Sequence, residues 1–175
     1  MKSSKCSTMA LKAIYLAFFV NSIVCFSQTP PITYPRIAAY TGIVHPLVTF
    51  SKTETVTNFK NAYTVGFPVG INVWKSAKVG FSFEVVPFIK AENHVSKMNN
   101  FLFHPGILLG LGHGFTLAGR AAFETSGRYG FTPVFNKIAK RNKNSHYFVA
   151  IPLPVRFGND KPASFAVGFQ FGLGF

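Results

Sequence analysis

The sequence predicts an all-β chain, an antiparallel transmembrane β-barrel of about eight strands behind a cleaved signal peptide. Three observations carry that expectation. First, the final stretch, Phe165 to Phe175 (FAVGFQFGLGF), puts Phe165, Val167, Phe169, Phe171, Leu173 and Phe175 on one face of an extended strand. Ala166, Gly168, Gln170, Gly172 and Gly174 fall on the other. A two-residue period with aromatics on one side and almost bare backbone on the other suits a strand between lipid and a narrow interior. Second, the alternating stretches are about as long as the 9–11 residues that a tilted strand needs to cross a bilayer. Strands of soluble domains average only about 5–6. Third, the ionisable residues inside these stretches mostly fall on the non-greasy face: Glu84, Arg120, Glu124 and Arg156.

The amino terminus reads as a secretory signal peptide over residues 1–27. Lys2, Lys5 and Lys12 precede or flank an apolar run, Ala13 to Val20, extended by Ile23, Val24, Cys25 and Phe26. Cys25 and Ser27 supply the small residues at the −3 and −1 positions of a cleavage site. Asn21 and Ser22 interrupt the run, so it falls short of the roughly 20 apolar residues of a membrane-spanning helix. Cys25 follows Val24, where a lipoprotein signal wants a small residue. Cleavage would remove both cysteines, Cys6 and Cys25, leaving no disulfide, thiol nucleophile or thiolate ligand. Residues 28–175 then form one domain with fifteen Lys and Arg against five acids, about +10. An exported chain does not normally meet nucleic acid, so anionic lipid or lipopolysaccharide phosphate is the expected counter-charge.

Along that domain, strands are expected over 37–50, where the faces are poorly separated, with Tyr40, Val44, Val48 and Phe50 on one side and Thr41, His45 and Thr49 on the other. A polar loop follows over 51–61. Tyr63, Val65, Phe67, Val69, Ile71 and Val73 alternate with small residues up to Trp74, which reads as an interface anchor. Further outward faces are Val79, Phe81, Phe83, Val85 and Ile89; then Phe101, Phe103, Ile107, Leu109 and Leu111; then Phe115, Leu117, Ala121 and Phe123. Tyr147 to Phe157 and the terminal strand complete seven. Tyr129 to Lys137, with Tyr129, Phe131, Pro133 and Phe135 on one face, supplies an eighth and the even count of bacterial single-chain barrels. An eight-stranded interior is filled by side chains, so no open pore is expected.

The terminal alternation closing on Phe175 resembles the last strand of bacterial outer-membrane barrels. That resemblance implies recognition by the barrel-assembly machinery through Phe165, Phe169, Phe171, Leu173 and Phe175. A signal ending in Ser-Gln before Gly- and Phe-rich alternating strands is similar to small uncharacterised outer-membrane barrels of Bacteroidetes. It implies outer-membrane location and fold, and no activity.

Glu84, Arg120, Glu124 and Arg156 form the candidate site, expected to pair because an isolated charge in a narrow lumen is costly. A structural plug is the favoured reading, with a proton or ion path or acid–base carboxylates as the functional one. No metal or other cofactor is expected, since His45, His94, His104, His113 and His146 share no ligand spacing. A lipid A-modifying enzyme would need a nucleophile–base pair. Ser145 and His146 are adjacent and so point to opposite faces of a strand, with Glu124 or Glu92 as the orienting acid. The expectation is therefore a non-enzymatic barrel that displays loops and contacts lipopolysaccharide through basic connections. A narrow channel is the alternative, with a lipid A acyltransferase or deacylase, or a soluble periplasmic β-fold, behind it.

Overall fold

The computed structural model describes residues 33–175, so the expected signal peptide, 1–27, lies outside the described residues. Every regular element described is a strand: β1 (Arg36–Ser51), β2 (Thr55–Thr57), β3 (Ala62–Gly66), β4 (Val69–Trp74), β5 (Val79–Glu92) and β6 (Val95–Gly112). They continue with β7 (Phe115–Glu124), β8 (Tyr129–Arg141), β9 (His146–Pro152), β10 (Val155–Phe157) and β11 (Ser164–Gly174).

All pairings are antiparallel and follow chain order. The last strand returns to the first, with β11 in register against β1 from Tyr40↔Gly174 to Ser51↔Ser164. Strands β3 and β4 are consecutive parts of one wall strand and β9 and β10 of another, so the wall is a ring of eight. Closure leaves the wall without a free edge. Proline marks both divisions, because Pro68 and Pro154 have no N–H for the ladder. Neighbouring backbone keeps those places stitched: Phe67 N donates to Pro87 O at 3.0 Å and Ala166 N to Pro154 O at 2.9 Å.

The stretch expected as an eighth strand is present as β8, and it runs past Lys137 to Arg141. Three details depart from the sequence reading. The loop over 51–61 contains β2, a short flap whose Thr55, Val56 and Thr57 pair with Phe50, Thr49 and Val48. Strand β1 carries a bulge between Pro46 and Val48. One extra residue shifts side-chain parity. Tyr40 and Val44 are therefore buried inside, whereas Phe50, beyond the bulge, is exposed outside. Trp74 is not an outward anchor but packs inside against Tyr40, Leu108, Ala118, Val134, Phe148 and Ala150. It occupies the same parity as Gly70 and Asn72, which is the inward one.

The burial pattern is inverted relative to a water-soluble sheet. Outside, Phe81, Ile107, Phe123, Phe131, Phe135, Tyr147 and Ile151 are exposed around the whole ring. Inside, Ser82, Glu84, His104, Arg120, Thr132, Arg156 and Gln170 are buried. Apolar residues flank these polar groups on either side. The cluster around Tyr40 and Phe148 lies toward the end where β1 begins and β11 finishes. Val44, Val86, Leu102 and Ala122 pack together toward the other end.

Candidate functional site: a charged network across the interior

The four charged residues singled out in the sequence fall into two pairs. Arg120 Nη1 of β7 donates to Glu84 Oε1 of β5 at 2.9 Å, both side chains buried. Arg156 Nε of β10 donates to Glu124 Oε1 of β7 at 2.7 Å, nearer the end where β1 finishes and β11 begins. Period two aims each of them inward, and each pair reaches across one intervening strand, β6 between β5 and β7 and β8 between β7 and β10. Arg120 lies opposite Gly106 across the β6–β7 ladder. A Cβ at Gly106 would meet Arg120 Cα at 2.8 Å, so glycine there makes room for the guanidinium stem.

Around the first pair stand residues that the sequence reading left out of the site. Tyr40 Oη donates to Glu84 Oε2 at 2.9 Å, and Arg120 Nη2 donates to Tyr40 Oη at 2.9 Å and Ser82 Oγ at 3.2 Å. His104 Nδ1 lies 3.0 Å from Glu84 Oε1, and its Nε2 lies 2.9 Å from Thr132 Oγ1. Thr132 Oγ1 also accepts from Arg156 Nη1 at 3.0 Å, which joins the two pairs into one network. At its outer end, Asn100 Nδ2 and Ser126 Oγ donate to Glu124 Oε2 at 2.8 and 2.9 Å. The network spans side chains of β1, β5, β6, β7, β8 and β10, and so crosses the interior from wall to wall.

With a neutral imidazole the hydrogen-bond directions agree throughout. His104 Nδ1–H donates to Glu84, Thr132 donates to His104 Nε2, and Thr132 accepts from Arg156. Hydroxyl, imidazole and carboxylate are thus aligned as in a nucleophilic relay. Two features argue against that chemistry. The Thr132 oxygen is held by a guanidinium, and the apolar cavity beside it is only about 60 Å³, below the ~300 Å³ where ligand pockets begin.

Ser145 sits in the turn after β8, where Asn142 N donates to its carbonyl at 2.8 Å. His146 opens β9 at the end where β1 begins, whereas Glu92 and Glu124 end β5 and β7 at the opposite one. The pieces of that hypothetical triad are therefore separated by the length of the ring. His45 faces outward among Phe59, Tyr63 and Phe171, with Tyr63 Oη 3.2 Å from its Nδ1. His94 and His113 occupy turns with positive φ. Among the described residues, no three His, Cys, Asp or Glu side chains gather as a metal site would require. Of the terminal apolar residues, Phe165, Phe169, Phe171 and Phe175 are exposed outside and Leu173 is partly so.

No protein-family model matches the chain, and no match was found among curated proteins. Among solved structures the chain is similar to the de novo designed protein TMB2.3, determined by solution NMR. The likeness has a TM-score of 0.40 and 12% identity, covering 82% of this chain and 97% of that one.

Proposed function

We propose that this chain is a bacterial outer-membrane β-barrel that acts as a closed, plugged wall displaying its loops to surface partners. One observation carries the reading: large apolar side chains are exposed around the entire ring while charged and polar ones fill its interior. In water such an arrangement would leave a continuous apolar surface far beyond the few hundred Å² typical of monomers. In a bilayer it is the low-energy one, since closure satisfies every wall strand's backbone without solvent.

The side with β2 and the connections after β7 and β10 has the longer loops, and bacterial barrels face longer loops outward. Lys52, Lys60, Lys90 and Lys97 lie toward that side and can reach lipopolysaccharide phosphates through charge-assisted hydrogen bonds. Lys137, Lys140, Arg141 and Lys143 belong to the opposite side. Assembly through the terminal strand would use the barrel-assembly machinery. The network across the interior favours a plug over the channel alternative, and non-enzymatic work over lipid A modification.

Membrane fractionation with gel electrophoresis of boiled and unboiled samples tests this reading. An outer-membrane band whose unboiled form migrates differently is expected, because a closed wall resists detergent unfolding. Recovery in the soluble periplasmic fraction without a shift would overturn it. Planar-bilayer recordings are expected to be silent, and sustained conductance would restore the channel.

A further inference from the structure

At the end where β1 begins and β11 finishes, the ring opens into a vestibule that the network closes from below. Its inward-facing residues include Arg36, Asn72, Trp74, Arg120, His146 and Gln170, and no acid lines it. Its volume is about 80 Å³, room for a few waters or one small ion but not for an acyl chain. Two buried atoms of the lining have no hydrogen-bond partner among the described residues, Arg120 Nε and Asn72 Oδ1. Arg120 is 7% exposed, and its Nη1 and Nη2 donate to Glu84, Tyr40 and Ser82. A buried N–H without a partner is costly, and Arg120 is one of the residues that line this vestibule.

The charge around the opening points the same way. Arg36, Lys75, Lys78, Lys140, Arg141 and Lys143 are exposed there. All of the chain's Asp and Glu lie elsewhere: Glu84 below the vestibule, and Glu54, Glu92, Glu124 and Asp160 toward the far end. Lys137 is turned aside, donating to the His113 carbonyl at 2.7 Å with its Nζ 3.8 Å from the Phe115 ring centre. A predominantly basic rim around a low-dielectric recess concentrates counter-ions within it.

We propose that this vestibule is a binding site for a small oxyanion of phosphate or carboxylate size, taken between Arg36, His146 and Arg120. The rim draws the anion in, and Arg36 supplies the uncompensated charge, because Arg120 is already paired with Glu84. The Arg120 Nε–H is the donor at the floor. Asn72 Oδ1, an acceptor, takes a protonated ligand oxygen or a bridging water. The network below stops the anion from passing through, so the site retains it and does not conduct.

Trp74 is the chain's sole tryptophan and part of the vestibule wall, so its fluorescence reports the site directly. The experiment compares quenching by iodide, caesium and neutral acrylamide in detergent at constant ionic strength, with and without inorganic phosphate. Iodide should quench several-fold more strongly than caesium, and phosphate should protect against iodide where chloride does not. Arg36→Gln should abolish the protection. Neutralising Lys140, Arg141 and Lys143 together should weaken it only partly. Equal quenching by iodide and caesium, or no protection by phosphate, would overturn the site. Protection that survives Arg36→Gln but vanishes with the rim charges would also overturn it, leaving surface attraction alone. The unboiled gel shift of each variant confirms that its ring is closed. Because the measurement is made in detergent, it can fail while the outer-membrane reading stands.

Discussion

Replacing Arg120 with Met tests whether the interior network holds the wall together. The substitution keeps most of the aliphatic stem and removes the guanidinium. Glu84, 2% exposed, then loses its 2.9 Å partner, and Tyr40 and Ser82 lose donors. His104 and Tyr40 still reach the carboxylate, but its charge is no longer balanced. Removing one member of a buried ion pair costs about 3–5 kcal/mol, most of it from the charge left behind. Glu84→Gln alone leaves Arg120 in the mirror-image situation and should cost a comparable amount. The double variant Glu84→Gln/Arg120→Met leaves no buried charge, so it should cost less than the two single losses combined, by about 2–3 kcal/mol. Urea titrations of protein refolded into phosphocholine vesicles, followed by Trp74 emission and the unboiled gel shift, measure all three. Additive losses, or an Arg120→Met loss below about 1 kcal/mol, would refute the idea of a coupled plug.

Glu124→Gln should be milder, about 1.5–3 kcal/mol, because Glu124 keeps Asn100 and Ser126 nearby and lies toward the ring's end; the same titration reads it. Phe103→Arg on the outer face should destabilise the vesicle-inserted form by about 2–4 kcal/mol, as a charge placed in the lipid-facing band does. Gly106→Ala should shift the unfolding midpoint downward, since its Cβ would meet Arg120 Cα and Cγ and the Gly119 carbonyl. Replacing Phe171 and Phe175 together with Ala should lower outer-membrane levels in cells while leaving vesicle refolding of the purified chain largely intact. Unchanged cellular levels would count against an assembly role for the terminal aromatics.

Much of the wall was legible because parity is a local property. In β5, the alternation of Phe81 and Phe83 with Ser82 and Glu84 declares both faces at once, and register then follows from hairpin connection. The bare side of β11 was legible for the same reason, and its cause is now visible. The Phe148 side chain lies against Gly172, and the His146 ring against Gly174.

What the sequence hid was decided by neighbours. The bulge at Leu47 inverts parity in a segment, IAAYTGIVHPLVTF, whose polar residues mislead, because Thr41 and His45 share the outward parity before the bulge. Tyr40 therefore read as part of a greasy face, although it hydrogen-bonds Glu84 from inside. Trp74 sits at a strand end, where an interface anchor and an inward plug look alike; its even parity was the usable sign. His104 has the inward parity of Gly106 and Gly110, but its link to Thr132 joins β6 to β8 across an intervening strand. No spacing within the chain encodes that contact.

The central claim is that the wall is inside-out, apolar toward lipid and polar within. Spin labels on single cysteines along β5, at positions 81 to 86, test it most directly. Both native cysteines, Cys6 and Cys25, fall in the segment expected to be cleaved, so the background is clean. In vesicles, labels at 81, 83 and 85 should be relaxed strongly by oxygen, which partitions into lipid. Labels at 82, 84 and 86 should be shielded from oxygen and from water-soluble nickel complexes alike. Nickel access at 81, 83 and 85 without oxygen access would place that face in water and contradict the account.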